Sequence, residues 1–172
     1  MKHLIGALAA LLLVVGAESQ ASFLIEPYLG YHMGKFEVSG NKDDAKGTSY
    51  GGRLGFSQLG FQFGADYMGG NWDIDSSPKF KASASNLGVF VGYDFPILLR
   101  VYGSYFFDSK LKDSSTFEGN MIRLGVGFSP IPLLDINLEY LMGKYDKLNG
   151  SSLPSEAKLN MLGVTVSIPF TL

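Results

Sequence analysis

Arg53, Arg100 and Arg123 are the only arginines in the 172 residues, and each interrupts a run that alternates between apolar and small or polar residues. The carboxylates Glu26, Asp66, Asp94, Asp135 and Glu139 fall in the same kind of run. So does His32, the one histidine after His3. Guanidinium and carboxylate groups held together can neutralise each other and fill an interior. They can also line a narrow path for ions. A histidine beside a serine or an acid can activate a nucleophile for acyl transfer. The sequence has no cysteine, which removes thiolate nucleophiles, disulfides, thiolate metal sites and lipid attachment through sulfur.

Period-two alternation means β-strands, and the chain carries eight stretches of it. The first runs from Phe23 to about Lys35, with Phe23, Ile25, Leu29, Tyr31 and Met33 on one face and Glu26, Tyr28 and His32 on the other. The next ones place Arg53 opposite the Tyr50–Leu54–Phe56 face and Asp66 opposite Phe61–Phe63–Tyr67. Asp94 ends a fourth strand built on Leu87, Val89 and Val91. Arg100 and Tyr102 lie opposite Leu99, Val101 and Tyr105; Arg123 lies opposite Ile122, Leu124 and Val126; Asp135 and Glu139 lie opposite Ile136, Leu138 and Tyr140. The last strand closes the chain as NMLGVTVSIPFTL, with Leu162, Val164, Val166, Ile168, Phe170 and Leu172 apolar. Connections are expected to alternate long and short, with polar loops at about 38–48, 69–84, 108–119 and 144–157.

Ahead of these strands, Met1-Lys2-His3 and an apolar run from Leu4 to Ala17 form a secretory signal peptide with small residues before a cut near Ala21. Its apolar run is short of the roughly 20 residues a spanning helix needs. The expected organisation is therefore residues 1–21 as signal and 22–172 as one β domain, with no further domain after it. The formal net charge of −2 gives no reason to expect nucleic acid as a partner.

Charge placement tells which strand face is outside. A water-facing strand surface is sprinkled with Lys and Glu. Here the lysines after the signal fall in the long loops or at strand ends, while the polar strand faces carry glycine, the arginines and a few acids. That pattern turns the apolar face toward lipid. The expectation is an all-β, eight-stranded antiparallel up-and-down transmembrane β-barrel.

The terminal strand resembles the C-terminal insertion signal of outer-membrane barrels, with Phe170 as its aromatic and Leu172 as the last residue. With EPYLGY (Glu26–Tyr31) it makes the chain from Ser22 onward resemble the small eight-stranded outer-membrane proteins, the OmpA transmembrane domain and OmpX among them. The resemblance implies a Gram-negative outer membrane, assembly through the C-terminal strand by the barrel assembly machinery, contact with lipid and lipopolysaccharide, a monomer, and no cofactor or metal. It implies a structural or surface-interaction role, with a narrow porin-like channel as the alternative and a lipid A-modifying enzyme as a remote one.

Register predicts partners inside such a barrel, because facing residues in a hairpin have numbers with a constant sum. A turn between Leu59 and Gly60 sets Arg53 opposite Asp66. One at Ile97 sets Asp94 opposite Arg100, and one at Ile131 sets Arg123 opposite Glu139. Glu26, Asp135, Tyr28, Tyr102 and His32 are expected to complete the plug. The enzyme alternative has little to stand on. His32 is followed by Met33-Gly34, unlike the deacylase motif, and Asp75-Ser76 is only a superficial echo of the palmitoyltransferase. Asp43-Asp44 and Asp73 with Asp75 read as solvated loop charges that divalent cations could bridge to lipopolysaccharide. Trp72, Phe80 and Tyr145 read as interfacial aromatics.

Overall fold

Successive alternating stretches pair with their chain neighbours, and the last returns to the first. The computed structural model describes residues 21–76, 80–131 and 133–172. The signal-peptide reading falls on residues outside these, as does Lys79. The strands are β1 (Ser22–Val38), β2 (Asn41–Gln58), β3 (Phe61–Ile74), β4 (Phe80–Asp94), β5 (Leu99–Lys112), β6 (Thr116–Ile131), β7 (Leu134–Leu148), β8 (Ser151–Ser167) and the short β9 (Phe170–Thr171). From β1 to β7 each pairs antiparallel with the next, and β1 also pairs with β8 and β9. β8 and β9 are two pieces of one wall strand, so the sheet is a closed eight-stranded up-and-down barrel.

The strands are longer than alternation of large apolar residues suggests. β2 has 18 residues and β1 and β8 have 17 each, against the 9–11 or so needed to cross the hydrocarbon layer at a tilt. The expected long loops are mostly strand. β1 and β2 meet at Ser39-Gly40, and β7 and β8 at Asn149-Gly150, with positive φ at both residues of each pair. These are the two-residue turns whose twist suits a hairpin, and Leu59-Gly60 makes another on the other side of the barrel.

The extra strand length is built with opposite polarity. Across the lower part of β1, Leu29, Tyr31 and Met33 face out and Glu26, Tyr28 and His32 face in. Further along, with unchanged parity, Lys35 is exposed and Phe36 is buried. β3 turns Trp72 and Ile74 inward, β4 Ala82 and Ala84, and β8 Ala157 and Leu159. Their outward neighbours are Asn71, Lys81, Ser83, Lys158 and Asn160. β5 keeps its phase with a bulge: Phe106 and Ser109 both point inward across a register shift between them. The outer part is therefore a water-facing barrel with an apolar core, in which Phe36 meets Phe80 and Phe117 edge-on at 6.1 and 5.7 Å. Trp72 and Tyr145 belong to this core and are not interfacial aromatics.

Candidate functional site

The inward face of the membrane part is one connected set of charges. Arg53 and Asp66 are cross-strand partners, with Nε 3.7 Å from Oδ2, and Arg53 also pairs with Glu26 at 2.8 Å and Glu139 at 3.4 Å. Its guanidinium lies between two rings, 4.0 Å from the Tyr102 centroid and 5.1 Å from that of Tyr28, where cation–π attraction adds to the ion pairs. Arg100 grips both oxygens of Glu26, at 2.7 and 3.1 Å, donates to Gln62 at 2.5 Å and pairs with Asp135. Asp94, its register partner, is farther away at 3.5 Å and half-exposed at the barrel's inner end.

Arg123 differs from the register expectation. It faces Leu141, and Glu139 faces Gly125. A ladder irregularity between Phe128 and Ile131, in the turn that contains Pro130, moves the hairpin by two residues. Freed from a direct partner, Arg123 crosses the lumen to Asp66, with Ser104 Oγ at 3.2 Å and Glu139 Oε1 at 3.6 Å. Three separate hairpin pairs are thus replaced by a web in which Glu26, Asp66 and Glu139 are shared between arginines of different strands. Arg53, Arg123, Glu26, Asp66, Glu139 and His32 are all sealed from solvent.

His32 has a neighbour that sequence order hid. Ser49 Oγ lies 3.3 Å from Nδ1, and Glu139 Oε2 lies 3.1 Å from Nε2. Serine, histidine and acid are in a chain, but the order on the ring is the reverse of a hydrolase triad, where the acid orients Nδ1 and the nucleophile meets Nε2. Ser49 is fully buried, and the His32 ring fills the space over Gly163, where a Cβ would come 2.0 Å from Cδ2. Tyr102 is seated on Gly125 in the same way, with Cζ 2.2 Å from a Cβ built there, and its hydroxyl donates to Glu139. Two of the lumen glycines are therefore sockets for rings (a reason beyond general crowding).

The remaining sequence candidates lie apart from this web. Leu162, Val164, Val166, Ile168, Phe170 and Leu172 are all exposed on the lipid-facing wall. Asp44 binds Lys35 at 2.5 Å, and Asp73 lies 3.6 Å from Lys81. A wide apolar band surrounds the lower wall. Tyr31, Tyr50, Tyr67, Tyr105 and Tyr140 lie toward its outer edge, and Phe23, Phe56, Phe61, Phe95 and Phe128 toward its inner edge. Two aromatic girdles around an apolar band are what a transmembrane barrel presents to lipid.

Residues 6–170 match the outer membrane protein beta-barrel domain family. The chain belongs to that family. The family and the girdled apolar wall put this barrel in the outer membrane. Among solved structures it is similar to Neisserial surface protein A, with 19% identity, a TM-score of 0.58, and cover of 88% of this chain and 99% of that one. It is also similar to Ail, the attachment invasion locus protein of Yersinia pestis, with 12% identity, a TM-score of 0.61, and cover of 86% and 99%. Ail has further been solved with the heparin analogue sucrose octasulfate, and that structure gives a TM-score of 0.59 at the same 12% identity and the same cover. At these identities the likeness is one of fold. A sequence comparison with curated proteins gives no match.

Proposed function

We propose that this outer-membrane barrel is a closed, non-conducting scaffold whose work is done by its external surface. The observation that carries the reading is a double closure of the interior. The arginine–carboxylate web fills the lumen within the membrane, and the Phe36–Trp72–Tyr145 core fills it outside. An ion crossing would have to break buried ion pairs, each costing several kcal/mol or so, and then pass a buried aromatic layer. Catalysis is no part of the reading, because Ser49, His32 and Glu139 are enclosed without space for a substrate. Glu26, His32, Arg53, Asp66, Asp94, Arg100, Arg123, Asp135 and Glu139 serve to hold the wall strands in place. Leu162 to Leu172 serve insertion, through the assembly machinery. The surface partners are outer-leaflet lipid and lipopolysaccharide, with the projecting hairpins available for contacts beyond the cell.

Single-channel recording in planar bilayers tests this. The folded protein is expected to be silent, and Arg123→Ala to remain so because the apolar core still blocks the outer half. Discrete openings in the wild type would favour the channel, and openings that change with Arg123→Ala would make Arg123 and its partners the gate.

A further inference from the structure

The outward faces of β2 to β5 carry a recess just above the tyrosine girdle. It has a volume of about 490 Å³, and its lining includes Lys46, Lys81 and Lys112, the polar Thr48, Asn71 and Ser83, the carboxylates Asp73 and Asp113, and Tyr31 of β1. Register explains its layout. Lys46, Asp73 and Lys81 face one another across three strands, and Thr48, Asn71, Ser83 and Lys112 form the next row across four. Tyr50 lies directly below this second row on β2. Lys81 is 3.6 Å from Asp73, whereas Lys46 and Lys112 make no ion pair among the described residues.

From this layout we infer that the recess holds the phosphorylated sugar headgroup of an outer-leaflet lipid whose acyl chains lie on the apolar wall beneath. Ammonium groups on three strands attract phosphate from several directions. Hydroxyl and amide groups from Thr48, Asn71 and Ser83, with Asp73, offer the donors and acceptors that sugar hydroxyls need. The apolar band under the recess must be covered by hydrocarbon in any membrane, so an anion carrying its own chains gains both contacts at once. Free phosphate would gain only the first. The inference rests on the proposed contact with lipopolysaccharide and gives it an address.

The test uses the folded protein purified in detergent, with bisphosphorylated lipid A as probe and native mass spectrometry as readout. Two variants remove equal charge: K46Q/K81Q/K112Q from the recess, and K144Q/K147Q/K158Q from the wall of β7 and β8. The recess variant is expected to bind lipid A at least roughly tenfold more weakly, on the scale of several lost charge-assisted bonds. The β7–β8 variant should bind like the wild type, and K46R/K81R/K112R should keep most binding. Equal losses in both glutamine variants would overturn the site while leaving general lipid contact standing. Equal binding of dephosphorylated lipid A, or full displacement by millimolar inorganic phosphate, would overturn the headgroup assignment. No binding by the wild type would overturn the lipopolysaccharide contact itself. Heat-modifiable gel mobility checks folding; if the triple variant fails it, Lys46→Gln and Lys112→Gln alone should each weaken binding several-fold.

Discussion

Across the step from Met33 to Phe36 the barrel turns inside out. Below it, the wall is apolar outside and charged inside; above it, lysines and serines face out while Phe36, Trp72, Ile74 and Leu159 face in. The strands run on through the step, and outside irregularities such as the β5 bulge their parity is kept; what changes is the surroundings. The membrane part gains nothing by hiding apolar side chains from water, because lipid already surrounds them. Its interior is instead held by hydrogen bonds and ion pairs. The outer part is an ordinary water-soluble barrel stabilised by burial. Two different kinds of interaction thus stabilise one sheet, and they should break differently.

The largest effect is expected at Glu139, which meets Arg53, Arg123, His32, Tyr102 and Thr165. Glu139→Ala leaves two buried guanidiniums short of a counter-charge, which should cost about 3–5 kcal/mol. Denaturant unfolding of the barrel in lipid measures it. A loss under about 1 kcal/mol would mean that water enters the web and replaces the missing oxygens.

Phe36→Ala probes the other half and is expected to cost about 3 kcal/mol through loss of burial and the cavity left beside Phe80 and Phe117. The damage should be local. Hydrogen exchange should quicken in the outer ends of β1, β2 and β4, with the membrane part unchanged. Uniform acceleration would show that the two halves unfold as one unit and that the contrast between them is only one of composition.

The boundary can be located along β8, whose outward residues include Lys158, Asn160, Leu162, Val164 and Val166. Arginine at Val166, whose partners Leu29 and Ile136 lie between the two aromatic girdles, should cost about 2–4 kcal/mol, as charges do near the bilayer midplane. Arginine at Asn160 should cost less than about 1 kcal/mol, since that position already faces headgroups or water. Similar costs at both sites would move the hydrocarbon edge outward past Asn160.

The fold was legible in the sequence because a lipid-facing strand must repeat large apolar residues, as Leu162, Val164 and Val166 do. The outer strand ends look like loops in the sequence because their apolar residues are small or sparse. Phe80, Ala82 and Ala84 alternating with Lys81, Ser83 and Ser85 carry the signal in opposite phase. A search for inverted alternation would have found these ends. Cross-strand partners separated by a two-residue turn, such as Arg53 and Asp66, follow from arithmetic. Arg123 did not, because an irregular proline-containing turn shifts the sum. The contact between Ser49 and His32 was also hidden. His32 faces Gly47 directly, so Ser49 reaches it only along the inward face.

The smallest effect concerns the seam where β1 meets the end of the chain. Tyr28 pairs with Ser167 and Ile25 with Phe170 in one unbroken register, yet the ladder lapses between them. Pro27 and Pro169 both lack an N–H, but the two play unequal parts. Ile168 and Leu172 send their N–H groups to β1, bonding Pro27 O at 3.0 Å and Phe23 O at 2.9 Å. Successive residues of a strand point their N–H groups to opposite sides, so Pro169 takes no bond from this seam. Pro27 lies where the return bond to Ile168 would start, and it has no N–H to give. Pro27→Ala should add that bond, stabilise the barrel by about 0.5–1.5 kcal/mol, and slow exchange at Ile168 and Phe170. Pro169→Ala should do neither. If the two variants act alike, the lapse reflects backbone stiffness on the chain-end strand, and the missing donor is not its cause.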